Sequence, residues 1–199
     1  MTNRIVLASS SEIRQQLLRN AGVRFETAPV VVDEVAIRDA LIAEGAGPRD
    51  IADALAEHKA RKGGGRDPEA LVIGCDQVLA FRNQILGKAE TPDEALAQLN
   101  QLGGEIHELL SAAVIYHEGQ PVWRHIGRVK MHMRRPDQNY LNDYVARNWK
   151  SIRNSVGGYK LEEEGSRLFH RIDGDYFTVL GLPLFELLGY LTLRGAIPG

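Results

Sequence analysis

Three carboxylates occupy positions that the surrounding residues would bury. Asp76 lies within VIGCDQVLAF, residues 72–81, where Val72, Ile73, Val78 and Leu79 suit a buried strand. Asp33 and Glu34 end the apolar stretch VVVDEV, residues 30–35, which reads as a strand. An ionised carboxylate is costly to bury unless it is paired or binds a metal. Arg14, Lys59 and Lys88 fall at inward or strand-end positions and are the candidate cations. Carboxylates hold Mg²⁺, which also binds phosphates. Lys and Arg grip phosphate oxygens and stabilise charge in a transition state. These residue types suit a Mg²⁺-dependent phosphoryl or nucleotidyl reaction; the alternative for each residue is a solvated surface charge.

The elements that must position them can be read in order. Residues 4–8 form a short apolar strand, the serines Ser9–Ser11 follow, and Glu12–Asn20 reads as a helix with Leu17 and Leu18 inward. A strand, serine loop and helix in that order aim backbone N–H groups at one point, where anions bind; plain capping by serine is the other reading. Residues 49–62 form an amphipathic helix whose stripe is Ile51 and Leu55, with Lys59 one turn further on, and Gly63–Gly65 break it. The strand holding Asp76 turns at residues 82–84 and returns through ILGK, residues 85–88. Thr91-Pro92-Asp93-Glu94 is a helix start with a capping box.

Residues 105–117 and 121–134 read as a long antiparallel pair, the second strand alternating Val129, Met131 and Met133 with charged residues. A helix over 137–149, a loop over 157–165, a hairpin turning at Asp173-Gly174 and a last helix over Leu184–Leu193 complete the chain. The expected fold is α/β with a mixed twisted sheet flanked by helices. With no linker or repeat, residues 1–199 make a single domain.

Composition narrows the classes. Twenty-four Lys and Arg against 26 Asp and Glu give a net charge of −2, which speaks against a nucleic-acid-binding protein. Cys75 is the only cysteine, so no internal disulfide can form, and inside an apolar strand it reads as inert packing. The N-terminal apolar run is too short for a signal peptide and none is long enough for a membrane span, so a soluble cytoplasmic protein is expected. Walker, G-x-G-x-x-G and G-x-S-x-G motifs are absent. His107-Glu108 begins like a zinc-protease motif, but Ser111 stands where the second histidine must be.

The ordered series LASSSEIRQQLL, VDE, EHKA, VIGCDQV, GKA, GYKLEEEG and VLGLP, from Arg4 to the last helix, resembles the Maf family of nucleoside triphosphate pyrophosphatases, once named for inhibition of septum formation. The resemblance implies two lobes around a nucleotide cleft, as in the Maf and ITPase-like folds. It also implies hydrolysis of a nucleoside triphosphate to the monophosphate and pyrophosphate with a divalent metal, Mg²⁺ or Mn²⁺. Members are often dimeric, which leaves a homodimer open. Asp76 matches the aspartate taken as proton acceptor for the attacking water. Ser9, Ser11 and Arg14 match the opening phosphate motif, Glu12 and Ile13 departing from its usual Pro and Arg. Lys59 and Lys88 match phosphate-binding lysines, and Glu34 matches an acid that helps with metal or water.

The family divides by substrate. One branch, acting on dTTP and UTP, reads G-A-D-T after the strand and carries Gln in the late loop. Another, acting on 7-methyl-GTP, reads D-Q and carries Glu there. Asp76-Gln77 and Lys160-Leu161-Glu162 are similar to the second branch. A carboxylate at Glu162 can accept hydrogen bonds from guanine N–H groups and favours a cationic methylated purine. Ile13 stands where that branch has Trp, which would stack on such a base. The rivals are a dTTP/UTP pyrophosphatase of the same family and a division-arrest protein that binds a partner without turnover. Retention of Asp76, Lys59 and Lys88 speaks against the latter.

Overall fold

The structure, a computed structural model, describes residues 4–199. In chain order the elements are β1 (Ile5–Leu7), α1 (Glu12–Asn20), β2 (Glu26–Thr27), α2 (Glu34–Ala43), α3 (Pro48–Gly64), β3 (Leu71–Phe81) and β4 (Gln84–Leu86). Then come α4 (Pro92–Leu102), β5 (Ile106–His117), β6 (Gln120–Met133), α5 (Gln138–Ile152), β7 (Phe169–Asp173), α6 (Tyr176–Val179) and α7 (Leu184–Leu193). The described strands form one mixed sheet in the order β2-β1-β3-β5-β6-β7, and β4 pairs with the far end of β3. β1 runs parallel to β2 and β3, while β3, β5, β6 and β7 are antiparallel to their neighbours.

β3 is the spine. Ten of its eleven residues are buried, Gln77 being the exception. Its large apolar side chains contribute roughly 1.5–3 kcal/mol each. Their sum exceeds the several kcal/mol that burial of one ion costs, so the strand stays inside despite Asp76. Along one face, Leu71, Ile73 and Cys75 pack under α1 and α7, whereas Leu79 and Phe81 pack with α4 and α5. Those two apolar clusters are the two lobes. Gln77 stands at the seam, directly across the ladder from Ser111. On the other face, Val78 and Ala80 pack against α3 with Leu110, Ala112 and Val114 of β5.

α3 approaches that face unusually closely. A methyl group at Gly74 would lie 2.3 Å from Ala56 O and 2.3 Å from Ala60 N. Glycine is what lets the helix backbone rest on the strand and delivers Lys59, one residue before Ala60, beside Asp76.

Three expectations need correction. Residues 30–33 form no strand: the Asp33 carboxylate caps α2 by accepting from Ala36 N, and Glu34 is that helix's first residue. Gly63 and Gly64 do not break α3 but continue it, because methyl groups there would crowd Val72 Cγ1 at 2.7 Å and Tyr116 Cβ at 3.2 Å. Residues 169–180 are not a hairpin. β7 ends at Asp173, and Asp175 accepts from Thr178 N to start α6, so local side-chain capping outcompetes a second strand. The long β5–β6 pair, the Thr91 cap and the buried Val129, Met131 and Met133 match expectation.

This packing predicts two stability effects. Gly74→Ala should lose at least about 2 kcal/mol in urea unfolding, since rigid backbone faces the added methyl. Burial lowers the His107 imidazole from 6.5 to about 4. The unfolded chain then binds a proton that the folded chain refuses, so this contribution is complete above pH 6.5 and is lost as pH falls toward 4. The loss reaches up to about 3 kcal/mol. His107→Gln should flatten that part of the stability profile.

Candidate active site

The seam between the lobes opens as a cleft of about 1050 Å³, large enough for a nucleotide. On its floor Asp76 Oδ1 accepts from Lys59 Nζ at 2.5 Å, and Glu34 Oε1 lies 2.7 Å from the same Nζ. One ammonium from α3 thus bridges a carboxylate of β3 and a carboxylate of α2. The strand is continuous through Asp76, paired with Ala112, so there is no bend there and the partner missing from its sequence neighbourhood is Lys59. Asp76 Oδ2 accepts from no described residue.

The two carboxylates sit in opposite electrostatic states. Burial dominates at Asp76 and raises its pKa above the usual 3.8, against the lowering charges of Lys59 and Arg14. At Glu34 burial also raises it, but the Lys59 hydrogen bond and the charges of Lys59, Lys88 and Arg14 outweigh burial and bring it below 4.5. Environments of this kind separate the proton affinities of two neighbouring carboxyl groups, Asp76 upward and Glu34 downward.

The serine loop forms the next wall. Ser11 caps α1, and the buried Ser9 Oγ accepts from Ser11 N at 3.2 Å. Arg14 Nε donates to Gly181 O at 2.8 Å, and Nη1 to Cys75 O at 3.2 Å and Ser9 Oγ at 3.4 Å. Those bonds tie α1 to β3 and to the turn before α7. Nη2 donates to no described residue. Lys88 lies just past β4, bridged to Val156, and lines the cleft opposite.

The residues expected to read the base are also in the cleft wall. Ile13 is half-buried and packs on the α1–α7 core. Glu162 is exposed at the rim and bonds to no described residue. Gln77 differs from expectation. Its Nε2 donates to Ser111 Oγ at 2.9 Å, Thr178 O at 3.1 Å and Val179 O at 2.9 Å. Its amide N–H groups hold the two lobes and α6 together, leaving only Oε1 toward the cleft. Cys75 is buried and its thiol is pushed up to about 11, consistent with inert packing.

Sequence reasoning missed Arg38 and Lys150, which also line the cleft, and gave Lys160 no role of its own. Arg38 follows Glu34 by four residues on α2, a signal visible only once that helix is recognised. Among the described residues no three His, Cys, Asp or Glu side chains converge on one point. Two hard carboxylates already sharing a cation, in a cleft lined by lysines, nonetheless fit Mg²⁺ or Mn²⁺ completed by phosphate oxygens and water.

The fold is thus a mixed sheet whose cleft brings two carboxylates together with Lys59, Arg14 and Lys88. The Maf-like protein family matches residues 4–193, and the chain belongs to the Maf family. It is 60% identical over 197 residues, 99% of both chains, to a nucleoside triphosphate pyrophosphatase of Ruegeria pomeroyi. It is 47% identical over 193 residues to one of Caulobacter vibrioides, covering 97% of this chain and 96% of that one. It is 42% identical over 199 residues, all of both chains, to a 7-methyl-GTP pyrophosphatase of Brucella abortus. Among the described residues no helix is long and apolar enough to cross a membrane.

Lys59→Met leaves Asp76 and Glu34 without the ammonium between them, and at pH 8 it should cost about 3–5 kcal/mol in urea unfolding. The loss should shrink toward pH 5. Asp76 is already raised, and without Lys59 it takes a proton more readily, so its stability contribution fails as pH rises. Adding Asp76→Asn should recover much of the loss at pH 8.

Proposed function

We propose that this chain hydrolyses a nucleoside triphosphate between the α- and β-phosphates, releasing the monophosphate and pyrophosphate. The observation that carries the reading is the opposed pair on Lys59: a buried Asp76 raised toward basicity and a Glu34 held ionised, 2.5 and 2.7 Å from one ammonium at the floor of a nucleotide-sized cleft. Membership of the Maf family and the names of its relatives support the same reaction class.

In the proposed reaction, Arg14 Nη2, Lys88, Ser9 and the N-terminus of α1 hold the triphosphate. Asp76 Oδ2, which accepts from no described residue, takes the proton of a water beneath the α-phosphorus. The water oxygen bonds to that phosphorus, the bond to the bridging oxygen breaks, and pyrophosphate leaves with the electron pair. Lys59 keeps Asp76 ionised and oriented. Glu34 and Asp76 would hold Mg²⁺ or Mn²⁺, which when bound neutralises phosphate charge. Positioning and charge neutralisation supply most of the acceleration in such reactions.

The proposed substrate is 7-methyl-GTP or a similarly modified nucleotide. Support comes from Asp76-Gln77, from Glu162 at the cleft rim and from the Brucella relative. The more similar relatives bear only the general name. With Gln77 N–H groups committed to the lobe seam, base reading falls to Glu162 and to the apolar wall that includes Ile13.

The test is pyrophosphate release with Mg²⁺ or Mn²⁺ from 7-methyl-GTP, GTP, dTTP, UTP, CTP and ATP. Turnover of 7-methyl-GTP should lead, and Asp76→Asn should lower kcat at least about 10²-fold. The acid limb of kcat/KM should lie above the ordinary aspartate value of 3.8, because Asp76 must lose its proton to act. Leading turnover of dTTP or UTP would keep the chemistry and reject the substrate. A folded protein that turns over none of the panel would reject the reaction for these nucleotides.

A further inference from the structure

The loop of residues 157–165 carries Lys160 and Glu162 into the cleft, yet little of it belongs to an element. Its backbone is constrained at both ends. Gly157 and Gly158 have φ of +77° and +70°, and a methyl at Gly165 would lie 2.4 Å from Lys160 O. Tyr144 Oη donates to Gly158 O at 3.2 Å. Between these points Tyr159 is the one large side chain that is fully inside the core among the described residues, and its hydroxyl lies 2.7 Å from His107 Nε2. Leu161 packs half-buried against both apolar clusters, and Glu163 and Glu164 are held at the far end by Ser151, Arg147 and Asn148. The Tyr159 ring stands edge-on to Phe169, with centroids 4.8 Å apart.

His107 is 1% exposed, and its Nδ1 has no partner among the described residues. The phenol is the better acid and the imidazole the better base, so Tyr159 O–H donates to a bare Nε2 and the ring proton sits on Nδ1. A buried donor left unpaired costs at least as much as one neutral hydrogen bond returns. A leucine at position 107 would fill apolar space without that cost. The imidazole is therefore poor as core filling and explicable as the acceptor that fixes the Tyr159 hydroxyl.

We propose that the His107–Tyr159 hydrogen bond is the anchor at the first half of this loop, holding residues 158–162 in register with the cleft while Glu163 and Glu164 fix its far end, and making His107 a specificity-positioning residue that acts through Tyr159 on Lys160 and Glu162. The claim about specificity rests on the nucleoside triphosphate reading above; the claim about the anchor does not. His107 itself does not line the cleft. Losing the bond leaves Asp76, Lys59 and Glu34 in place, because they are held by α3 and the opposite face of β3.

Tyr159→Phe keeps the ring and removes the hydroxyl; His107→Leu removes the acceptor; His107→Gln restores one. Amide hydrogen exchange and steady-state kinetics would be measured on all three and on the parent chain. In Tyr159→Phe and His107→Leu, exchange should rise about tenfold at residues 158–162 and stay unchanged in β3 and β5. The ratio of kcat/KM between the best and second-best nucleotide should fall about tenfold, mostly through KM. The double variant should be no worse than either single one, and His107→Gln should recover much of both readouts.

Unchanged loop exchange in the isosteric Tyr159→Phe would overturn the anchor whatever the other variants do, including a His107→Leu that fails to fold. Faster exchange spread evenly through the core would overturn it too, by showing a purely structural role. A loosened loop with intact nucleotide discrimination would overturn the specificity claim. If the parent chain turned over no nucleotide, the proposed reaction would fail while the exchange data still decided the anchor.

Discussion

Helix α3 rests on β3 with no side chain between the two backbones at Gly74. That contact sets the length that the Lys59 side chain must span, and at that length its ammonium reaches a carboxylate buried in the next strand position but one. Had α3 stood off by the usual thickness of a side-chain layer, Asp76 would face an apolar wall and lose its charge. Arg14, the other cation that lowers the pKa of Asp76, is fixed away from it through Nε and Nη1 by Gly181, Cys75 and Ser9. Gly63 and Gly64, against Val72 and Tyr116, extend the same close approach to the helix end. A small-residue contact between a helix and a strand is thus the mechanical basis of a charged site.

The alternation of β3 divides the labour between its two faces. Asp76 points to α3 and into the Lys59–Glu34 cluster. Gln77, one residue on, points to the other face, where it crosses the ladder to Ser111 and reaches two carbonyls of α6. That amide lies where the apolar cluster under α1 and α7 gives way to the one under α4 and α5. An apolar residue at 77 would fuse the two clusters, whereas the amide keeps a polar seam along which a cleft can open. Ser111 and the Thr178 carbonyl complete the seam, and Ser111 is fully buried with its hydroxyl donating to that carbonyl at 2.7 Å.

Much of this was legible in the chain. Asp76 was conspicuous because a carboxylate within Val72, Ile73, Val78 and Leu79 must have a partner. The period of the 49–62 segment placed Lys59 on the inward side, and Thr91-Pro92 located α4 to the residue. The features that escaped notice share a physical cause. α2 buries no residue fully, so it has no strong apolar stripe to reveal it, and Glu34 and Arg38 could not be seen as neighbours one turn apart. Gly63 and Gly64 look like a helix terminus locally because the reason for them, the nearness of Val72 and Tyr116, is tertiary. Asp173-Gly174 looks like a hairpin turn because only the Asp175 cap, formed by the start of α6, distinguishes it from one. The Gln77 bonds span 34 to 102 residues of sequence and leave no local signature at all.

The same distinction bears on substrate choice. In the proposed reaction the phosphate-side groups come from β3, α3, the start of α1 and Lys88 just past β4, elements fixed by the sheet. The groups facing the base come from the half-buried Ile13, the rim at Glu162 and the loop hung from Tyr159. On that assignment a difference of one residue in the first set would remove charge from the phosphate side, while a difference in the second would reshape a wall. A cleft built in this way can keep one cleavage chemistry while its base preference changes. The preference would then depend less on which side chain sits at position 162 than on how firmly the core grips the loop that presents it.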